Sequence, residues 1–509
     1  MLEERRLRLL SAMTAGGLWP ADSPWVRQAM ETVPRDRFAP DAVHIWTGER
    51  YEVVRRAETP EAWAAAVHPD PYGSTVTQVT DSMPMSSISC AAIVATMLDA
   101  LAPEPGHRVL ELGTGSGWNA ALLARRAGQG HVTSIEIDAE LAAHARRRIE
   151  AAGHRVRVIT GDGDAELPEG EAFDRVISTY AVEHVPWAWV ERTRPGGRVV
   201  TPWGHTGCVA ITVAEDGTSA TGWMQAPARF MPTRHLGRPP VPFERVRDGD
   251  VGAPAQFLRP VQQLTHPDVL FALRVLLPDV HIDTRDAGTD GQATAWLSDG
   301  RSSWAVLQQT GTAVIAHRGG QRDLADEVDR AWTVWEERGS PGMYDFGLHL
   351  TPDAHHVFTG DDPHGPRWRP LAPALQRPPH TSGGRTGPGW SPSVPEEVVE
   401  VVGAVRAGRG DHQDGPFSLA VALGHVHPVF DLRHEIPALG LDVSLGPRFR
   451  WRCGGLKPGG RGQAGHAESR PCEHPGAAAH SSWIRHPGSL RARRQPHLGS
   501  CRTPQPPAA

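Results

Sequence analysis

Lysine is almost absent from this chain: it has one lysine, Lys457, and 51 arginines. Cysteine is also scarce: the five cysteines form no C-x-x-C pair, so the sequence predicts neither a disulfide framework nor a thiolate metal site. Long uncharged apolar runs are missing, and the N-terminus, MLEERRLRLL, is charged where a secretory signal needs an apolar core. We therefore expect a cytoplasmic protein with no membrane partner and no metal.

Positive charge is concentrated at one end of the chain. From Gly446 onward there are ten arginines and one lysine against two glutamates, whereas the whole chain has a formal charge of −6. The residues before Gly446 are therefore strongly acidic, which argues against a nucleic-acid partner, because phosphate binding needs clustered cations. With 39% hydrophobic residues and 46 prolines in 509, the chain is expected to combine folded domains with linker or disordered segments.

A glycine-rich stretch at residues 109–124, VLELGTGSGWNAALLA, contains the clearest signal for a ligand site. A short apolar run predicts a buried strand, the glycines Gly113, Gly115 and Gly117 predict a turn, and the helix formers that follow predict a helix. Glycine lets a ligand lie against the backbone. We therefore expect a ligand-binding turn here, with Glu111 two residues before the first glycine.

Two further acids follow the next predicted strands. Glu136 ends the second strand, where a carboxylate can accept from two ribose hydroxyls, and Asp162 with Gly163 follows the third. The phosphate-binding spacing G-x-G-x-x-G is not met, which disfavours a dinucleotide. The pattern resembles the Rossmann-like class I methyltransferases, which implies an α/β fold and S-adenosyl-L-methionine as cofactor. The predicted cofactor-binding residues are Glu111, Gly113, Gly115, Gly117, Glu136, Asp162 and Gly163.

A second motif narrows the resemblance. The segment VPRDRFAP, residues 33–40, ends a predicted helix, and a P-G-G turn at residues 195–197 precedes a later strand. A VPRxxFxP motif before a glycine-rich methyltransferase turn is similar to the protein-L-isoaspartate O-methyltransferases. This resemblance covers roughly residues 20–235. It implies a protein or peptide substrate and methylation of a carboxylate, and the resulting ester would cyclise to a succinimide, as in protein repair.

Hydroxyl side chains cluster at Ser86, Ser87 and Ser89, before an apolar stretch that predicts a helix. Ser87-Ile88-Ser89 matches the family's T-I-S, whose hydroxyls hold the substrate carboxylate, whereas Ala91 replaces the family's proline. We therefore predict that these serines hold the substrate in the reaction. With the extra serine, the sequence Ser-Ser-x-Ser at residues 86–89 resembles that of divergent relatives that methylate aspartate in a ribosomal precursor peptide. The serines could alternatively serve only to cap the helix.

Other functions remain open at this point. His184 is a candidate base, but a carboxylate nucleophile is already ionised at neutral pH and needs no proton removed. A small-metabolite O-methyltransferase would share the cofactor turn without needing VPRxxFxP, and a non-catalytic binding protein would not need the intact glycine and acid motifs. Isoaspartate in proteins and aspartate in a precursor peptide are both retained as substrates.

The predicted organisation has six parts. These are an N-terminal helical and substrate-cap region at 1–80, the methyltransferase domain at 81–235, a smaller α+β extension at 240–371, a linker at 372–395, a short segment at 396–445 and a disordered basic tail at 446–509. Long members of the family carry a similar extension, which looks suited to gripping a leader or partner peptide. The tail's composition fits disorder, an out-of-frame reading of GC-rich DNA, or a basic binding segment.

Overall fold

The computed structural model describes residues 1–48, 50–165, 167–204, 206–234, 243–247, 252–285 and 292–374. Most of the predicted linker, the segment at 396–445 and the tail at 446–509 lie outside the described residues. All statements below concern the described part of the chain.

The first two helices match the sequence-based expectation. They are α1, Leu2–Ala15, and α2, Pro24–Thr32. Proline occupies the first turn of α2, where its fixed φ suits a helix and its missing N–H costs no hydrogen bond. A short 3₁₀ helix, Arg35–Phe38, follows and contains the RDRF part of the VPRDRFAP motif. Phe38 is fully buried, so this turn is part of the core.

Residues 41–80 are not mainly helical, which corrects the prediction of a helical N-terminal region. They form β1, Ala42–Trp46; β2, Tyr51–Arg55; α3, Pro60–Val67; and β3, Thr75–Thr80, and β3 pairs with β4, Met83–Ile88. The four strands make an antiparallel sheet in the order β2-β1-β3-β4. Their β-branched and aromatic side chains favour strands only weakly when taken alone. Pairing between neighbouring strands provides most of the stability of this sheet.

The central region alternates helices with strands. Its elements are α4, Ala91–Leu101; β5, Val109–Leu112; α5, Trp118–Ala127; β6, Val132–Glu136; α6, Ala139–Ala151; β7, Arg157–Thr160; β8, Phe173–Ser178; α7, Trp187–Glu191; β9, Thr193–Trp203; β10, Gly207–Val213; and β11, Ala220–Pro227. Strands β9, β8, β5, β6 and β7 are neighbours in parallel. Every residue of β5 and β6 is buried, as expected for strands covered on both faces. The predicted α/β, Rossmann-like class is confirmed.

The extension adds a second sheet. Its elements are α8, Phe243–Val246; β12, Ala255–Phe257; α9, Pro267–Leu276; β13, His281–Arg285; β14, Gln292–Ser298; β15, Trp304–Thr310; β16, Ala313–Gly319; α10, Leu324–Glu337; β17, Phe346–Thr351; β18, Ala354–Thr359; and β19, Arg367–Trp368. Strands β12 to β16 form an antiparallel sheet in the order β12-β16-β15-β14-β13. Helix α10 buries an apolar stripe that includes Val328 and Trp332.

The last three strands do not belong to that second sheet. Strand β17 pairs antiparallel with β11, so the main sheet has ten strands in the order β19-β18-β17-β11-β10-β9-β8-β5-β6-β7. Leu348 and Leu350 share one apolar cluster with Ile211 of β10 and with Leu307 of the second sheet. A domain boundary near residue 240 was expected, but the structure has a continuous core across it, because β11 offers an edge to which β17 adds.

Candidate active site

The glycine turn, residues 113–117, follows β5 at the point where the strand order of the parallel sheet changes direction. Strand β5 lies between β6 and β8, and ligands of open α/β sheets bind in the crevice at such a switch point. Gly113 has φ of +88°, and a Cβ there would lie 2.5 Å from Oγ1 of Thr179. Only glycine therefore fits, because the turn presses against the segment after β8.

Glu136 is buried at the end of β6. Its carboxylate accepts hydrogen bonds from the backbone N–H of Gly115 at 2.8 Å and of Asp138 at 3.1 Å. Each carboxylate oxygen has a second lone-pair direction available for a ligand hydroxyl. The side chain also lines the cavity described below. Glu136 thus fixes the glycine turn and presents an acceptor to a ligand at the same time.

Glu111 and Gly117, which the sequence predicted to bind the cofactor, are not among the residues that line the cavity. The Glu111 carboxylate accepts from Nδ2 of Asn119 at 2.9 Å and from the hydroxyl of Ser134, and it is fully buried. Burial, with a smaller contribution from nearby Glu136, raises the pKa of Glu111 to about 7. A Cβ on Gly117 would lie 2.9 Å from Cγ1 of Ile149, so this glycine allows α5 to pack against α6.

Asp162 and Gly163 lie after β7, and both line the cavity. Next to them are two residues that the sequence did not identify, Asp164 and Tyr180. The Tyr180 hydroxyl donates to Oδ1 of Asp164 at 2.7 Å, and Oδ2 of Asp164 accepts from the Thr233 hydroxyl at 2.7 Å. Burial and the Asp164 charge raise the pKa of Tyr180, so its hydroxyl stays protonated and acts as a donor. No spacing rule in the sequence links these positions.

The three serines lie on and just after β4. Ser86 is buried, and its Oγ accepts from the Thr77 hydroxyl at 3.1 Å, which leaves the Ser86 proton free for a ligand acceptor. A Cβ on Gly115 would lie 3.8 Å from Oγ of Ser86, so the serines and the glycine turn face each other closely. Helix α4 begins at Ala91 without a side-chain cap. The capping interpretation of the serines is therefore wrong.

One cavity of about 770 Å³ joins these groups. Its wall includes Ser86, Ser87, Ser89, Gly113, Gly115, Glu136, Asp162, Gly163, Arg229, His281 and Arg301. The cavity therefore brings the serines and five of the seven predicted cofactor residues together, and it reaches into the extension. His184, the candidate base, is not on this wall; its Nδ1 lies 3.3 Å from Nδ1 of His355. Within the described residues, no group of histidine, cysteine or acidic side chains could hold a metal, and no helix could span a membrane.

Comparison with known proteins shows which family this arrangement belongs to. The profile described as "Protein-L-isoaspartate(D-aspartate) O-methyltransferase (PCMT)" matches residues 7–234. The protein-L-isoaspartate O-methyltransferase of Hyperthermus butylicus is 36% identical over 212 residues, which are 40% of this chain and 76% of that protein. The enzyme of that name from Anaeromyxobacter dehalogenans is 37% identical over 207 residues, 40% of this chain and 91% of that protein. The chain belongs to the protein-L-isoaspartate O-methyltransferase family.

A solved structure entitled protein-L-isoaspartate O-methyltransferase is 20% identical and covers 70% of this chain and 99% of its own, with a TM-score of 0.41. The family resemblance inferred from the sequence is confirmed by the profile and the relatives. The matched segment ends at residue 234, whereas the cavity wall continues to His281 and Arg301. In this member of the isoaspartate methyltransferase family, the extension therefore forms part of the cavity.

The family's VPRxxFxP motif has a clear structural role here that the sequence did not reveal. The buried guanidinium of Arg35 donates to the carbonyl of Ser89 at 2.7 Å, to the carbonyl of Ile88 at 2.9 Å and to the Thr75 hydroxyl at 2.9 Å. It also stacks 5.3 Å from the ring centroid of Trp118 in α5. Burial lowers the pKa of Arg35 to about 10, so it remains charged at neutral pH. Arg35 thus connects the serine segment to the helix that follows the glycine turn.

Proposed function

We propose that this chain transfers a methyl group from S-adenosylmethionine to the free α-carboxylate of an isoaspartyl residue in a protein or peptide. The observation that supports this best is the single cavity, in which Ser86 faces the glycine turn with Glu136 at its side. The identity of 36–37% with two relatives named for this reaction supports it independently.

The residues around the glycine turn fit the cofactor. Glu136 would accept from the ribose hydroxyls, and Asp162 would accept from the adenine amino group. The open backbone at Gly113 and Gly115 would allow the ligand to lie against the turn. S-adenosylmethionine supplies the methyl group, bound to a positively charged sulfur. Glu111 would act indirectly, because its hydrogen bonds hold the start of α5 against β6.

The serines would hold the acceptor carboxylate. A carboxylate is ionised at neutral pH, so the reaction requires orientation and no general base. Orientation of two reactants alone can provide many orders of magnitude in rate. Ser86, Ser87 and Ser89 would donate to the carboxylate, and Arg35 would keep the Ser89 backbone in place. After transfer, the following backbone nitrogen attacks the ester carbonyl, methanol leaves and a succinimide forms.

The extension's part of the wall supports its predicted role in gripping a peptide. His281 and Arg301 line the same cavity as the serines. Residues of a peptide that flank the isoaspartyl residue would therefore contact this side. The acidic balance of the chain before Gly446 fits a peptide partner better than a nucleic acid.

A matched pair of peptides tests the proposal. Two peptides of one sequence, with isoaspartate or aspartate at the same position, are incubated with the full chain and S-adenosylmethionine, and methyl ester formation is followed by mass spectrometry. We expect methylation of the isoaspartyl peptide and slower turnover by Ser86→Ala with little change in cofactor affinity. Preference for the aspartyl peptide would instead favour the precursor-peptide alternative, and methylation of neither peptide would reject the proposal.

A further inference from the structure

The segment after β8, residues 179–186, connects the cofactor turn to the extension, and we call it the β8 loop. At its beginning, the Thr179 hydroxyl donates to the carbonyl of Gly113 at 2.5 Å, and the Tyr180 hydroxyl donates to Asp164. Further along, Glu183 lines the active-site cavity. The loop therefore lies directly on the glycine turn and forms part of the cavity wall.

The other side of the β8 loop is held by the extension. Arg274 of α9 donates from Nη2 to Oε2 of Glu183, and the arginine side chain is only 5% exposed. Its guanidinium carbon lies 5.6 Å from the ring centroid of Trp203, whose Nε1 donates to the Glu183 carbonyl at 2.9 Å. Both the side chain and the backbone of Glu183 are therefore held in place.

The local backbone makes room for this arginine. Gly204 has φ of +60°, and a Cβ there would lie 2.7 Å from Nε of Arg274. A side chain at this position would collide with the guanidinium and would also strain the backbone. The close contact of Arg274, Glu183 and Trp203 thus depends on a glycine that follows β9.

We propose that Arg274 is a positioning residue for methyl transfer, which acts through Glu183 to hold the β8 loop against the glycine turn. This inference rests on the proposed function, because it assigns a role in that reaction to a residue beyond the matched segment 7–234. The extension thereby contributes to the part of the cavity beside the glycine turn, where the cofactor would bind. It also contributes to the part lined by His281 and Arg301, which would contact the peptide. Arg274 itself is not on the cavity wall.

The expected consequences differ between single and double substitutions. The Arg274 side chain is buried and that of Glu183 is 25% exposed, so removal of Arg274 breaks the contact that holds Glu183, whereas replacement of both partners by neutral groups is better tolerated. Arg274→Met should therefore displace Glu183 and loosen the loop. Arg274→Met combined with Glu183→Gln should relieve much of that defect.

A double-mutant cycle tests this. Wild type, Arg274→Met, Glu183→Gln and the double variant are compared by kcat and KM for the isoaspartyl peptide, by calorimetric Kd for S-adenosylhomocysteine, and by thermal unfolding. We expect Arg274→Met to lower kcat about tenfold and weaken S-adenosylhomocysteine binding three- to tenfold, and the double variant to recover most of both. Arg274→Lys should be intermediate, because lysine keeps the charge without the planar fork.

Arg259 provides a matched control. It also stacks on a tryptophan, Trp332, and pairs with Asp329 and Glu336 of α10, but it is away from the cavity. Arg259→Met should lower the melting temperature and leave kcat and the Kd unchanged. If Arg274→Met behaves in the same way, or if its losses add to those of Glu183→Gln, Arg274 has only a structural role. A wild type that binds S-adenosylhomocysteine but methylates no isoaspartyl peptide would reject the proposed function, and the Kd cycle would still decide the role of Arg274.

Discussion

Replacement of Glu136 tests the cofactor site most directly. Its carboxylate accepts from two backbone N–H groups, at 2.8 and 3.1 Å, and lines the cavity, so one residue fixes the turn and is expected to bind the ligand. Glu136→Gln keeps one acceptor oxygen but replaces the other with a donor. A hydrogen bond to a charged group contributes about 1.5–3 kcal/mol. Loss of one such contact should weaken S-adenosylhomocysteine binding about ten- to a hundredfold.

Glu136→Ala should weaken binding further, because it removes all acceptors and leaves the Gly115 and Asp138 N–H groups without their partner. Isothermal titration calorimetry gives the affinity, and thermal unfolding shows whether the turn itself has been lost. Glu140→Ala is the matched control, since Glu140 is an exposed acid in the first turn of α6. A Glu136→Gln variant with an affinity within twofold of wild type would refute this assignment, and the ribose partner would have to be sought elsewhere.

Three further outcomes are expected. Because burial raises the pKa of Glu111 to about 7, the folded state binds this proton more tightly than the unfolded state, and the contribution of Glu111 to stability should fall by roughly 3 kcal/mol between about pH 4.5 and 7. Glu111→Gln should remove that part of the pH dependence in denaturant titrations across this range. Arg35→Met leaves buried carbonyls at Ile88 and Ser89 unsatisfied, so urea unfolding should show a loss of about 2–5 kcal/mol, and Arg35→Lys should not restore it. A chain that ends between Phe430 and Leu445 should methylate the isoaspartyl peptide at the full-length rate, since the composition from Gly446 onward is the kind that predicts disorder; a slower rate with an unchanged melting temperature would assign substrate binding to the tail.

The sequence predicted best those elements whose signal is local. The short strand β5 lies directly before the glycine turn as predicted, and Glu136 lies on the cavity wall because strand ends in a parallel sheet meet at one edge. The sheet of β1 to β4 was missed: β1 with β2 and β3 with β4 form neighbouring hairpins, but the pairing of β1 with β3, at His44 and Val76, joins distant segments and leaves no local pattern. The pairing of β17 with β11 was not predicted, because the two strands are far apart in the chain and pairing over such a distance leaves no periodic pattern.

The site residues show the same limit. Arg35 contacts backbone carbonyls 53 and 54 residues away, and a carbonyl has no signature in the sequence. The sequence assigned Glu111 to the cofactor because acids near a glycine turn often bind a ligand. In the structure its carboxylate is buried and accepts hydrogen bonds from Asn119 and Ser134 inside the protein. Motif spacing therefore identified which residues gather near the turn and could not distinguish those that face the cavity.

The pairing of β17 with β11 also affects what happens when the chain is shortened. Residues 220–223 of β11 pair with residues 347–350, and every second residue of β11 is buried. A chain cut at residue 234, where the family match ends, would expose β11 as a bare edge with unpaired N–H and C=O groups. Such an edge is a template for association between molecules. We therefore expect the minimal methyltransferase segment to aggregate, so that β17 to β19 protect the sheet edge against self-association.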